Sequence, residues 1–168
     1  EEAVRLKETH GGNVTALTAG LPKASKGVKD ALSRGCDNAF FISDENFKDF
    51  ETSQTAAILS EVIQTLLSYN LIICGEGSSD IYAQQVGPRV ADSLGIPCIS
   101  FVQKVKIEGD AIMAERKTEN VTEFVTCKMP ALITVLPEIN TPRIPKVRDT
   151  LMAAKKPARS TFHQHDFW

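Results

Sequence analysis

Long apolar runs are missing from this chain, and so is an excess of charge of either sign. No stretch of its 168 residues approaches the roughly 20 apolar residues of a membrane-spanning helix. The opening EEAVRLKETH also lacks the basic-then-apolar grammar of a secretory signal. A formal net charge of −2 and a pI near 6.0 leave no electrostatic footprint for a phosphate backbone. These absences lead us to expect no nucleic-acid partner, no stable membrane insertion and a cytoplasmic location. The four cysteines, Cys36, Cys74, Cys98 and Cys127, are far apart and form no CxxC pair, which excludes the usual structural-zinc and dithiol spacings. Cys74, Cys98 and Cys127 fall in or beside apolar segments, where a free thiol behaves as a small buried hydrophobe. Histidine is scarce, with His10, His163 and His165 all near the chain ends, so no Ser-His-Asp or Cys-His arrangement can be assembled. We expect no hydrolytic or transferase site. The pattern His163, His165, Asp166 lacks a third ligand elsewhere, and we expect no metal.

What is present is an ordinary globular composition, 42% apolar and 24% charged, in a chain long enough for one domain with a real core and an extension. The first residues already have helical spacing, with Ala3, Val4 and Leu6 on one side, so the chain starts inside a helical pattern. We therefore expect material upstream of Glu1. A β-rich run over residues 14–20 follows, then a helical pattern over 24–34 with Val28, Ala31 and Leu32 on one face, stopping at Gly35. Residues 39–42 read as a strand, 52–69 as a helix through Ala56, Leu59, Val62, Ile63, Leu66 and Leu67, and 71–74 as a buried strand. Strands alternating with helices predict parallel pairing. From Cys98 the grammar changes. Residues 98–102, 103–107, 111–116, 121–127 and 131–135 are closely spaced strand candidates, with Glu108-Gly109-Asp110 as a turn, and together they read as an antiparallel appendage. A proline-marked segment with one short helix over 147–155 comes next, and TFHQHDFW reads as a terminal extension.

The expected fold class is thus α/β: a Rossmann-like, mostly parallel sheet flanked by helices, with an antiparallel strand extension and a C-terminal tail. We divide it into a nucleotide-binding α/β domain over residues 1–136 and a recognition loop, short helix and extension over 137–168.

The stretch GEGSSDIYAQQVGPRVADSLGIP follows strand 71–74 and is unusually rich in glycine, serine and amides. Pro88 disfavours the α conformation at Gly87, which predicts a helix over 88–94 ended by Gly95. A helix N-terminus offers unpaired N–H groups, and glycines let an anion approach the backbone. Gln84 and Gln85 add amide donors, and Ser78 and Ser79 add hydroxyls. That reading is a holder for something polar or phosphorylated. The other is an ordinary connection in which Ser79 or Asp80 caps a kinked helix that begins earlier. Neither a Walker A nor a GxGxxG pattern is present to decide between them.

GEGSSDIYAQQVG, preceded by LIICG and followed by ADSLGIP, resembles the nucleotide-binding segment of the electron transfer flavoprotein β subunit family, particularly Fix-type bacterial members. EEAVRLKE, VKDALSRGCDNAFFIS, MAERKTENVTEFVTCKMPALITV and NTPRIPKVRDTLMAAKKP resemble further parts of that family in the same order. The resemblance implies a non-enzymatic electron carrier formed with an α subunit, which contributes most of a redox FAD site. The β subunit itself holds AMP or, in bifurcating members, a second FAD. Carried over, the cofactor contacts are Ala19, Gly75, Gly77, Ser78, Ser79, Asp80, Gln84, Gln85, Val86 and Gly87. The resemblance further implies docking on acyl-CoA dehydrogenase-type or quinone-linked oxidoreductases through Val147 as anchor, with Arg148, Leu151, Met152, Lys155 and Lys156. Val86 stands where many members have threonine, and Lys117 where some have an acid. The family's first strand would precede Glu1, and its C-terminal arm is short here. Two other classes compete. One is a nucleotide-sensing domain resembling universal stress proteins, which usually have a glycine-rich phosphate loop and lack the antiparallel appendage. The other is a purely structural subunit with an empty pocket.

Overall fold

The computed structural model describes residues 1–79 and 81–160, the side chains of Leu66 and Ser160 excepted. Asp80 and the expected extension with His163, His165 and Asp166 lie outside the described residues. In chain order the elements are α1 (Glu2–His10), β1 (Thr15–Gly20), α2 (Ser25–Ser33), β2 (Asn38–Ser43), α3 (Thr52–Leu66) and β3 (Leu71–Gly75). Then follow α4 (Val86–Leu94), β4 (Cys98–Glu108), β5 (Ala111–Lys117), β6 (Thr122–Lys128), β7 (Ala131–Val135), α5 (Val147–Ala153) and β8 (Ala158–Ser160). No helix among the described residues is long and apolar enough to cross a membrane.

These elements form two compact units. One comprises Glu1–Phe50 and the described part of Asn140–Trp168. Its sheet has the order β1-β2-β8, parallel throughout, with Ala19 opposite Ile42 and Gly20 opposite Ser43. The apolar stripe of α2, Val28 and Leu32, packs with Ala39 of β2 and Ala153 of α5 to form its core. The Lys7 ammonium on α1 donates to Asp37 Oδ1 at 3.0 Å and to Gly35 O at 2.8 Å, and Asp37 Oδ2 accepts from Val14 N at 2.8 Å. One carboxylate thus ties the first helix to the start of the first strand.

The other unit is Glu51–Ile139. Its sheet has the order β3-β7-β4-β5-β6, with β3, β7 and β4 parallel and β4, β5 and β6 antiparallel. The mixed α/β architecture with parallel strands and an antiparallel extension is the expected one. Ile99, Val102, Ile112, Ala114, Ala131 and Ile133 form the core of this unit.

Several elements differ from expectation for identifiable reasons. Residues 131–135 are not part of the antiparallel appendage: β7 lies between β3 and β4, parallel to both. Its four consecutive buried residues, Ala131 to Thr134, are what a strand covered on both faces requires, since alternation is lost there. The two strands expected over 98–107 are one, β4, whose first half pairs with β7 and whose second half pairs with β5. Register shifts at Ile99/Val102 and Val102/Lys104, with Phe101 at φ 63°, bend it between its two partners. Residues 158–160 add β8, which pairs with β2 and is too short to carry a periodicity. Helix α3 ends at Leu66 rather than at 69, because Leu67 is already extended for the return into β3. Cys98 is exposed rather than buried, while Cys74 is half-buried and its thiol is pushed up to about 11 by burial, then by nearby Cys98.

Thr134 holds the bend of β4 in place. Its side chain is buried, and its Oγ1 accepts from Phe101 N at 3.2 Å. Thr134→Val keeps the shape but removes the acceptor from an amide at an uncommon backbone angle, so a loss of about 1–3 kcal/mol is expected. Urea unfolding of Thr134→Val against Thr134→Ser measures it. Equal midpoints for the two variants would show that the hydroxyl contributes nothing.

Candidate functional site

Apart from Ala19, the residues singled out from sequence lie in two places, one in each unit. In the second unit the chain leaves β3 at Gly75, and Glu76 N extends the pairing by donating to Val135 O at 3.1 Å. It then turns through a loop in which Tyr82 and Gln84 are left-handed, at φ 51° and 56°. Such angles are costly for side chains with a Cβ and concentrate where a surrounding structure over-determines the backbone. The over-determining contact is local. The Tyr82 ring packs against Gly77, where a Cβ would meet the ring at 2.7 Å. The carboxylate of Glu76 beside the Tyr82 hydroxyl raises the phenol's pKa above its ordinary value, with burial as the second cause. Tyr82 thereby braces the loop, a role the sequence reading missed. Its signal would have been the pairing of a glycine with a tyrosine five positions on. Ser78 and Ser79 are exposed on this loop.

Helix α4 begins at Val86 rather than at Pro88. Pro88 sits in its first turn, where a missing N–H costs nothing, and the first intrahelical bond is Arg89 N to Gln85 O at 3.0 Å. The N–H groups of Val86 and Gly87 therefore open this helix. Gln85 caps the turn with its backbone, while its Oε1 accepts from Arg89 Nε at 3.0 Å, Arg89 Nη2 at 2.8 Å and Thr52 Oγ1 at 3.4 Å. Arg89, also missed, thus fixes the amide of Gln85 and puts a guanidinium beside the helix start. Gly87 is buried. A Cβ there would lie 2.7 Å from Thr134 Cγ2, 3.5 Å from Leu132 Cδ2 and 3.6 Å from Cys74 Cβ, so its missing side chain lets α4 lie directly on β7 and β3. The helix ends at Gly95 in the left-handed conformation, as expected.

Exposed serines, paired glutamines, first-turn N–H groups and a guanidinium fit a phosphorylated group by the chemistry of their donors. Ala19, in the first unit, is half-buried on β1 opposite Ile42. Beside it in the register, at the end of β2, Ser43 Oγ is buried without a hydrogen-bond partner among the described residues. No group of three or more His, Cys, Asp or Glu side chains placed to hold a metal occurs among the described residues.

The second place is the proline-marked segment of the first unit. Arg143 anchors it. Its Nε and Nη2 donate to Glu1 at 2.9 and 2.8 Å, and its Nη1 and Nη2 donate to Glu8 at 2.7 and 3.0 Å. Its own amide donates to Glu1 Oε2 at 2.9 Å, and its carbonyl accepts from Arg34 Nη1 at 2.6 Å. The guanidinium holds the Glu1 carboxyl at about 2 and keeps Glu8 below the usual carboxylate range. Beyond it, α5 starts with Asp149 Oδ2 accepting from Lys146 N at 3.0 Å. Val147 is 79% exposed and Leu151, one turn on, 67%; Arg148, Met152 and Lys155 are also exposed. Ile144, not singled out from sequence, is 90% exposed and enlarges the same run of bare apolar side chains. Lys156 differs from the others. Its ammonium is turned inward, donating to Leu32 O at 2.9 Å and Cys36 O at 2.7 Å, where it satisfies carbonyls at and after the end of α2.

Comparison with known proteins agrees with the arrangement of these elements along the chain. The electron transfer flavoprotein domain matches residues 1–166. An electron transfer flavoprotein subunit beta of Thermoanaerobacterium thermosaccharolyticum is 37% identical over 156 residues, covering 93% of this chain and 60% of that protein. The chain therefore spans about three-fifths of the length of that curated relative. A match that takes in both the β3–loop–α4 unit and the proline-marked segment, together with almost everything between and around them, places the chain in the electron transfer flavoprotein domain family.

Proposed function

We propose that this chain is the nucleotide-holding and partner-docking part of an electron transfer flavoprotein β subunit. It works with an α subunit to pass electrons between flavin dehydrogenases and an acceptor oxidoreductase. The observation that carries this reading is the family match over residues 1–166, which runs through a β3–loop–α4 unit whose donors suit a phosphate. The nucleotide is AMP or a second FAD. Its phosphates are held by Ser78, Ser79 and the first-turn N–H groups of Val86 and Gly87, with Gln84 and Gln85 from the same loop, while the Asp80 carboxylate contacts the nucleotide away from its phosphates. FAD supplies reversible one- and two-electron chemistry when bound, whereas AMP supplies none. The chain's own part is to bind, orient and shield, and it needs no hydrolytic or transferase site for that. Docking on the dehydrogenase falls to the exposed Val147, Arg148, Leu151, Met152 and Lys155. A small apolar anchor with a basic rim suits the short-lived encounters of electron carriers.

The test is to co-express the full-length protein with its neighbouring α subunit, purify the complex, denature it and quantify the released nucleotides by chromatography. One FAD and one AMP per heterodimer is expected of a simple carrier, and two FADs of a bifurcating one. If no complex forms, and ATP or nothing is released, the carrier reading fails and a nucleotide-sensing role replaces it.

A further inference from the structure

The bare apolar run from Ile144 to Met152 raises a physical question. Exposed side chains on a short helix and its lead-in should not hold one position on their own, because a helix this short is marginal in water. A surface that must be ordered at each encounter loses affinity to the ordering. Here the segment is fixed at both ends. At its start, the side chain, amide and carbonyl of Arg143 are all engaged, by Glu1 just ahead of α1, by Glu8 within it and by Arg34 beyond α2. At its end, Ala153 is buried against α2 and Lys156 grips Leu32 O and Cys36 O. Between Arg143 and α5, Pro145 fixes one backbone angle, and Pro142 does the same just ahead of the clamp.

We propose that Arg143 is the positioning residue of the docking segment. Its two-carboxylate clamp on α1 sets the point from which Ile144 and α5 project, so that the dehydrogenase meets a pre-ordered surface. The inference rests on the docking role given above to Val147 and its neighbours. Arginine is suited to the task because its planar fork engages two carboxylates at once, which a lysine ammonium cannot reproduce. The Arg143 guanidinium is spent on Glu1 and Glu8, so in this role it shapes the docking surface rather than forming it. Its removal therefore leaves electron transfer within the bound complex intact and weakens only the approach.

The experiment uses the full-length β subunit in complex with its α subunit, with an acyl-CoA dehydrogenase reduced by its acyl-CoA substrate as the probe. Arg143→Met and Arg143→Lys are each expected to raise the half-saturating concentration about tenfold, with kcat unchanged within twofold and the FAD content unchanged. Amide exchange over residues 144–152 should speed up in both. Val147→Glu is the control for the docking role: it raises the half-saturating concentration while leaving exchange in the segment slow. If Val147→Glu has no effect, the docking reading itself fails. If Val147→Glu weakens binding but Arg143→Met changes neither saturation nor exchange, docking stands and the positioning role is overturned. Equal losses of kcat and flavin in the Arg143 variants would mark a general structural role and would also overturn it.

Discussion

Replacing Gly87 by valine is expected to destabilise the protein by about 3 kcal/mol or more, and Gly87→Ala by about 1–3 kcal/mol. Two effects oppose each other at this position. Alanine is a better helix residue than glycine by up to about 1 kcal/mol, which alone would make the smaller substitution stabilising. Against it stands the packing. The added Cβ would sit 2.7 Å from Thr134 Cγ2, and the neighbour cannot swing away, because Thr134 is buried and its hydroxyl already holds Phe101 N. Either α4 lifts off β7 or the bend in β4 is disturbed. Overpacking wins because the obstruction belongs to a core strand and not to a flexible surface chain. A loss of 3 kcal/mol is a large part of the roughly 5–15 kcal/mol that stabilises an ordinary domain. Urea midpoints at unchanged slope measure it. The same lifting of α4 withdraws the Val86 and Gly87 N–H groups, so nucleotide retention should fall along with stability. An alanine variant as stable as the parent would mean that α4 stands farther from β7 than described.

Ile133→Ala is expected to cost about 3–4 kcal/mol, within the range for removing a large aliphatic side chain from a core. Ile133 is 0% exposed in the middle of β7 and belongs to one core cluster with Ile99 and Val102 of β4, Ile112 of β5 and Ala131 of its own strand, none of which can collapse into the space without moving a ladder. Ile144→Ala removes the same atoms from a side chain that is 90% exposed. It should shift stability by no more than about 0.5 kcal/mol. Thermal unfolding of the two variants side by side separates the roles the structure gives them. Comparable destabilisation by Ile144→Ala would show that this side chain is covered in solution and has no part in a docking surface.

These contrasts also show where the sequence was legible. Helix α3 could be read because Ala56, Val62 and Ile63 recur on one face while its other side is polar. The pairing of the second half of β4 with β5 could be read because the turn at Gly109 joins two closely spaced strand-like runs. Residues 131–135 could not be placed from their own pattern. ALITV is apolar but for Thr134 and shows no alternation, which says that both faces are covered without saying by what. Its neighbours β3 and β4 lie far away in the chain, and no local signal encodes them. The start of α4 lies two residues ahead of the expected one, because Pro88 does not mark the boundary. A proline is equally at home one or two residues inside the first turn. The loop's serines, glutamines and glycines were visible as a group, but Tyr82 and Arg89, which brace them, were not, since their roles depend on a ring lying over Gly77 and a guanidinium reaching back one turn. Arg143 was legible only as part of a resembling stretch. Its carboxylate partners stand at the opposite end of the chain.

The placement of β7 and β8 has a consequence for how the protein comes into being. The chain produces β3, α4 and β4 well before residues 131–135, yet the strand that joins β3 to β4 is β7. The sheet begun by β1 and β2 likewise waits for residues 158–160. While the chain is still growing, only the local pairings of β4 with β5 and of β5 with β6 can close at small loop cost. Each unit therefore waits with a gap in its sheet, from residue 75 to 131 in one and from 43 to 158 in the other. The two sheets are thus completed in turn, each by a strand made long after the strands it joins.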